Sequence, residues 1–124
     1  MKFLLIVLCG GAGSLARYVA GTAVTARYGS RFPWGTLVVN VTGSFLIGLF
    51  AGMFRSGAST TARAFLMTGI CGGYTTFSSF SLQNLQLLEN GNYYYAGVNT
   101  ALSLLLCMLG VWLGYIFGNM VSAK

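Results

Sequence analysis

Gly69-Ile70-Cys71-Gly72-Gly73-Tyr74-Thr75-Thr76-Phe77-Ser78-Ser79-Phe80 lies inside the third of four long apolar stretches in this chain. Paired glycines followed by a run of hydroxyl residues are poor material for a continuous helix: glycine costs a helix about 1 kcal/mol, and Ser and Thr side chains compete for backbone partners. A third span is therefore expected to break at Gly72-Gly73-Tyr74-Thr75-Thr76. Non-helical backbone at membrane depth persists only where it is buried in protein or lines a cavity. Such a break presents carbonyl oxygens in mid-membrane with no acidic side chain nearby, and a neutral oxygen site suits Na⁺ better than a divalent ion, which recruits carboxylates.

Whether this stretch crosses a bilayer at all is answered by the rest of the chain. It is 56% hydrophobic and only 6% charged, so its helices are apolar all round and belong in a membrane. A spanning helix takes about 20 apolar residues, so a chain of 124 residues holds about four spans and no separate soluble domain. One domain, residues 1–124, is expected. The first span runs from Phe3 to Val24, although its start also mimics a secretory signal. Pro33 and Trp34 open the second, which reaches Phe54, and Arg55 to Arg63 form a polar loop. The third runs from Ala64 to Leu88 and the fourth from Tyr93 to Val121, joined by Glu89 to Asn92.

Glu89 is the single acidic residue and there is no His, which removes the usual acid and base pairs and any side-chain metal cluster. An enzyme is not expected. Cys9, Cys71 and Cys107 lie in apolar segments without ligand spacing and read as small hydrophobes. The +6 charge is spread singly between apolar stretches, as membrane-flanking anchors are, and no nucleic-acid surface is expected. With the termini on one side, Lys2, Arg55, Arg63 and Lys124 face Arg17, Arg27 and Arg31 on the other. So small a bias permits insertion in both orientations and an antiparallel homodimer; dominance of one orientation is the competing reading.

Thr36, Asn40, Ser44, Gly48 and Gly52 recur every four residues and form one stripe on the second helix. Gly48 and Gly52 fit helix packing, whereas Asn40 is either pore lining or interhelical glue. The first helix carries Gly10, Gly13, Ser14, Arg17 and Gly21; Arg17 either snorkels to the interface or forms a cationic vestibule for anions. The fourth places Asn99, Ser103 and Cys107 on one line, followed by a seam of Gly110, Gly114 and Gly118. After the break, Phe77, Phe80, Ser81 and Asn84 share a face. Phenylalanine usually means core, but these rings stand among serines, and ring edges are electropositive enough to meet an anion.

Three segments, one in each of the first three helices, carry a resemblance along the whole chain: Gly10-Gly11-Ala12-Gly13-Ser14-Leu15-Ala16-Arg17-Tyr18; Gly35-Thr36-Leu37-Val38-Val39-Asn40 with Gly43-Ser44-Phe45; and Gly72-Gly73-Tyr74-Thr75-Thr76-Phe77-Ser78-Ser79-Phe80-Ser81. Together they resemble the CrcB/Fluc fluoride channels. The resemblance implies an all-α membrane protein of four transmembrane helices, the third broken mid-membrane, assembled as an antiparallel dual-topology homodimer with two anion pores in a bacterial inner membrane. It implies a structural Na⁺ at the twofold axis, held by the Gly72 and Thr75 carbonyls of each subunit. Asn40, Phe77 and Phe80 would line the fluoride path, with Ser78 and Ser79 as a polar track and Arg17 near the entrance; Ser81, Gln83 and Ser103 complete the candidate pore residues. Transport would be passive, returning fluoride that entered as neutral HF. Departures from the family's pattern are Gln83 where Glu is usual, Ser79 where Thr is common, and Leu106-Cys107 in place of a frequent Gly-Ser pair. Gln83 keeps hydrogen-bonding capacity, so a working channel with altered conduction is expected. A small dual-topology multidrug exporter is the main rival, but proton-coupled cation export needs an acid within the spans, and none has one. A non-transporting membrane partner protein would explain the glycine seams and leave the broken helix without a purpose.

Overall fold

A computed structural model describes residues 1–55 and 57–123; the charge assigned above to Lys124 lies outside them. Among the described residues the fold is entirely helical. α1 covers Lys2–Tyr28, α2 Trp34–Met53 and α6 Tyr93–Ser122, and these three are long and apolar enough to cross a membrane. The third stretch is subdivided: α3 (Thr60–Arg63), a π-helical segment (Ala64–Cys71), α4 (Gly72–Tyr74), and then α5 (Phe77–Glu89).

Local chemistry sets the ends. α1 stops at Gly29, whose φ of 85° is open to glycine, and the Gly29 N–H closes on the Thr25 carbonyl at 2.8 Å. Pro33 stands at the N-cap of α2 and not inside its first turn, and its carbonyl accepts from Leu37 N–H at 3.1 Å. The α5–α6 turn is a Schellman motif: Gly91, at φ 73°, donates to the Leu88 carbonyl (3.0 Å) while Asn92 donates to Leu87 (2.8 Å).

Two expectations need correction. The third helical stretch begins at Thr60 and not Ala64, because the Ser59 hydroxyl caps it by accepting from Ala62 N–H at 3.2 Å. Gly72 and Gly73 are helical, and the interruption is confined to Thr75 and Thr76, both extended. The glycines serve close packing instead: a Cβ on Gly73 would strike the Gly10 carbonyl, and one on Gly13 the Ile70 carbonyl. The small-residue stripe of α1 thus seats the π segment and α4.

A second seam joins α2 to α6. A Cβ on Gly48 would meet the Val111 carbonyl, one on Gly52 the Tyr115 carbonyl, and those on Gly114 and Gly118 the Phe45 and Leu49 carbonyls. The two backbones are as near as glycines on both sides allow, which supplies van der Waals attraction where lipid gives no hydrophobic drive. The buried core is small, with Leu37, Val39 and Cys71 at its centre, while Phe3, Leu15, Met108 and Trp112 point outward. The three cysteines are free, Cys71 buried and the others half-buried. Apolar side chains facing out over small residues facing in is the inverse of a water-soluble fold, and the chain is a multi-pass membrane protein. At one end Phe32 packs on Trp34 and Tyr95 (ring centroids 4.6 and 6.1 Å), with Arg31 over Tyr95, as interfacial belts do.

Candidate functional site

The two extended residues between α4 and α5 decide the site's geometry. Thr75 still closes a helical bond, its N–H meeting the Cys71 carbonyl at 3.0 Å. Thr76 cannot. Its N–H, which in a continuous helix would meet the Gly72 carbonyl, donates to Asn40 Oδ1 at 2.8 Å, and its carbonyl accepts from Asn40 Nδ2 at 2.9 Å. The Asn40 side chain therefore serves Thr76 as the peptide group of a neighbouring strand would, satisfying both groups that the interruption frees. Gly43, three residues on, leaves the room that Thr75 and the Tyr74 ring occupy.

Thr76 is buried, and its hydroxyl starts α5 by accepting from Ser79 N–H at 3.2 Å. The same oxygen lies 3.2 Å from Ser78 Oγ and 3.1 Å from Ser79 Oγ. From α1, Ser14 Oγ donates to the Gly73 carbonyl and Arg17 Nη1 to the Thr75 carbonyl, each at 3.4 Å. These groups border an open cleft of about 820 Å³, lined by Arg17, Thr36, Thr76, Ser78, Ser79 and Gln83 among others. Gln83 also borders a smaller cavity of about 360 Å³ beside Arg31, Asn90 and Asn92, and its Oε1 is buried without a partner among the described residues.

Of the residues singled out in the sequence, the fold gathers Arg17, Ser78, Ser79 and Gln83 around this cleft, and Asn40 reaches it through Thr76. Phe77 and Phe80 form a tilted pair, centroids 5.4 Å apart, with Phe77 76% exposed. Ser81 turns back to the Phe77 carbonyl (3.0 Å), and Ser103 is buried on α6 beside Asn99, so neither borders the cleft. Gly72 is exposed, and a Cβ there would make only an ordinary contact with the Met67 carbonyl oxygen at 3.8 Å. Thr76 was overlooked by sequence reasoning, although a Thr immediately ahead of an apolar helical run is a capping signal.

Chemically the cleft offers rotatable hydroxyls, one fixed positive charge and no carboxylate among its lining residues. Apart from Gly21, Ala26, Gly35 and Val39, each lining residue carries a side-chain group that can donate a hydrogen bond to an anion, and none is a carboxylate or imidazole.

A family model described as CrcB-like protein, Camphor Resistance (CrcB), matches residues 4–115. A protein of Opitutus terrae named "Fluoride-specific ion channel FluC" is 52% identical over 92% of this chain and 89% of its own length. Proteins of the same name from Methylocella silvestris and Rhodospirillum rubrum are 48% and 43% identical, covering 94% and 98% of this chain and 92% and 98% of their own.

Proposed function

Because the chain belongs to the CrcB-like protein family, we propose that it is a fluoride-specific ion channel, a membrane protein that moves its substrate without turning it over. The observation that carries this is the identity of 43–52% over nearly the full length to relatives named as fluoride channels. Reconstituted in liposomes, the protein should release fluoride at least about a hundredfold faster than chloride, a ratio of about 2.7 kcal/mol in barrier height. Equal rates for the two anions, or no fluoride release, would sink the assignment.

The finer reading has the anion drawn to Arg17 and passed between hydroxyls of Thr76, Ser78 and Ser79 that rotate to donate, with the electropositive ring edges of Phe77 and Phe80 touching it without trapping it. Passive flow then returns to the outside whatever fluoride entered as HF. We place the interruption at Thr75–Thr76 at mid-membrane, where its irregular backbone lines this path.

An antiparallel homodimer in a bacterial inner membrane completes the proposal. What supports it is the open side of the molecule: α5 buries no residue, Gly72 is exposed, and Phe77 stands in the open. A second copy related by a twofold axis would cover that side. The Gly72 and Thr75 carbonyls fit a Na⁺ site in kind. The amide that would have satisfied Gly72 is engaged by Asn40, Thr75 keeps a lone pair beside its 3.4 Å contact with Arg17, and no cluster of His, Cys, Asp or Glu exists among the described residues. A bound Na⁺ would supply the positive charge that holds such carbonyl dipoles together across two chains. Exchanging Na⁺ for K⁺ should then lower the melting temperature by about 5 °C, as loss of a ligand bound only by the folded state does. An unchanged melting temperature and unchanged flux would remove the ion from the proposal.

A further inference from the structure

Of the helices longer than about one turn, α5 has the least to hold it. It buries none of its residues, yet it carries Phe77, Ser78, Ser79 and Phe80. Among the described residues two sets of side-chain hydrogen bonds tie it to other helices or fix its start. One is the Thr76 cap with Asn40. The other lies farther along: Asn84 Nδ2 donates to Thr100 Oγ1 at 2.9 Å, and Asn84 Oδ1 accepts from Asn99 Nδ2 at 2.9 Å.

This second tie has only one workable arrangement. The Thr100 hydroxyl gives its proton to the Ala96 carbonyl at 2.9 Å and so can only accept from Asn84, which fixes the nitrogen of that amide on the Thr100 side. Asn99 is 1% exposed, and its own Oδ1 lies 3.5 Å from Ser103 Oγ, so its amide nitrogen is left for Asn84. Both atoms of the Asn84 amide are thereby committed to α6. Asn84 follows Phe80 by four residues and Phe77 by seven, on the same helical face. Any rotation of α5 about its axis that carries the rings to a new position must break the Asn84 bonds, and in apolar surroundings an unpaired amide is strongly disfavoured.

We infer that Asn84, Asn99 and Thr100 are positioning residues that set the rotation of α5, and hence where the Phe77–Phe80 pair and the Ser78 and Ser79 hydroxyls stand along the anion path. The inference rests on the channel reading above. Asn84→Ala and the near-isosteric Thr100→Val are the variants to reconstitute, beside the exchange pair Asn84→Thr with Thr100→Asn, which restores a hydrogen bond in the reverse sense. Fluoride and chloride efflux are measured per folded chain. Asn84→Ala should reduce fluoride efflux about tenfold and lower the fluoride to chloride ratio, Thr100→Val should fall between it and the wild type, and the exchange pair should recover to within about twofold. If Asn84→Ala does not fold, Thr100→Val carries the test. Wild-type efflux per folded chain in both single variants, with only the melting temperature lowered, overturns the positioning role, as does an exchange pair that folds and stays at the Asn84→Ala level. A wild-type protein that passes no fluoride fails the channel reading itself, which keeps the two outcomes apart.

Discussion

Asn40→Asp is expected to lower fluoride efflux by about a hundredfold or more, the equivalent of about 2.7 kcal/mol in the barrier. The neutral amide meets Thr76 with an acceptor at 2.8 Å and a donor at 2.9 Å. A carboxylate keeps the first bond and turns the second into two oxygens facing each other, which costs the donor and leaves a buried carbonyl unpaired, at about 1–3 kcal/mol. It also sets a negative charge against Thr76, which borders the cleft proposed as the anion path, where like charge would repel a permeating anion. Asn40→Ala removes the clamp without adding charge, so its loss of efflux should be smaller and its loss of thermal stability comparable. Proteoliposome efflux per folded chain, read beside each variant's melting temperature, checks both. An Asn40→Asp protein conducting fluoride at the wild-type rate would take the clamp out of the transport mechanism.

Gly114→Val should prevent the chain from folding, or leave it with a melting temperature more than about 10 °C lower, since overpacking costs about 1–3 kcal/mol even where neighbours are side chains that can move. Here the neighbours cannot. The first atom added would strike the Phe45 carbonyl and lie 2.9 Å from the Leu49 nitrogen, both backbone of α2. Gly97→Ala is the matched control, because Gly97 on the same helix has nothing within 4 Å. Yield of monodisperse protein in detergent and its melting temperature are the readouts, and a Gly114→Val protein as stable as Gly97→Ala would mean the seam opens without penalty.

Helices α1, α2 and α6 were legible from apolar length alone, and their ends fell within a few residues of expectation because Gly29, Pro33 and Asn92 mark them in plain chemistry. The third stretch was harder. Gly72-Gly73 looks like flexibility in one dimension, but a glycine's purpose depends on what passes beside it, and Gly10 lies far away in the chain. The extended pair Thr75-Thr76 is made possible by Asn40, again a long-range partner. The π-helical segment Ala64–Cys71 carries no residue pattern of its own that would distinguish it from an ordinary helix. At the site, Arg17, Ser78, Ser79 and Gln83 could be nominated from type and family pattern, whereas Thr76 and the Asn84–Asn99–Thr100 bonds emerge only once α2, α5 and α6 are set side by side.

The α2–α6 seam also bears on how the chain is made. α2 enters the membrane early, yet the surface that fits its Gly48 and Gly52 belongs to residues 110–118 of the last helix. During synthesis α2 must wait in lipid while the π segment, α4 and α5 follow it, with its glycine face uncovered until α6 has emerged. The order in which helices are inserted and the order in which they lock are therefore different, and the fold is committed only once α6 is in place.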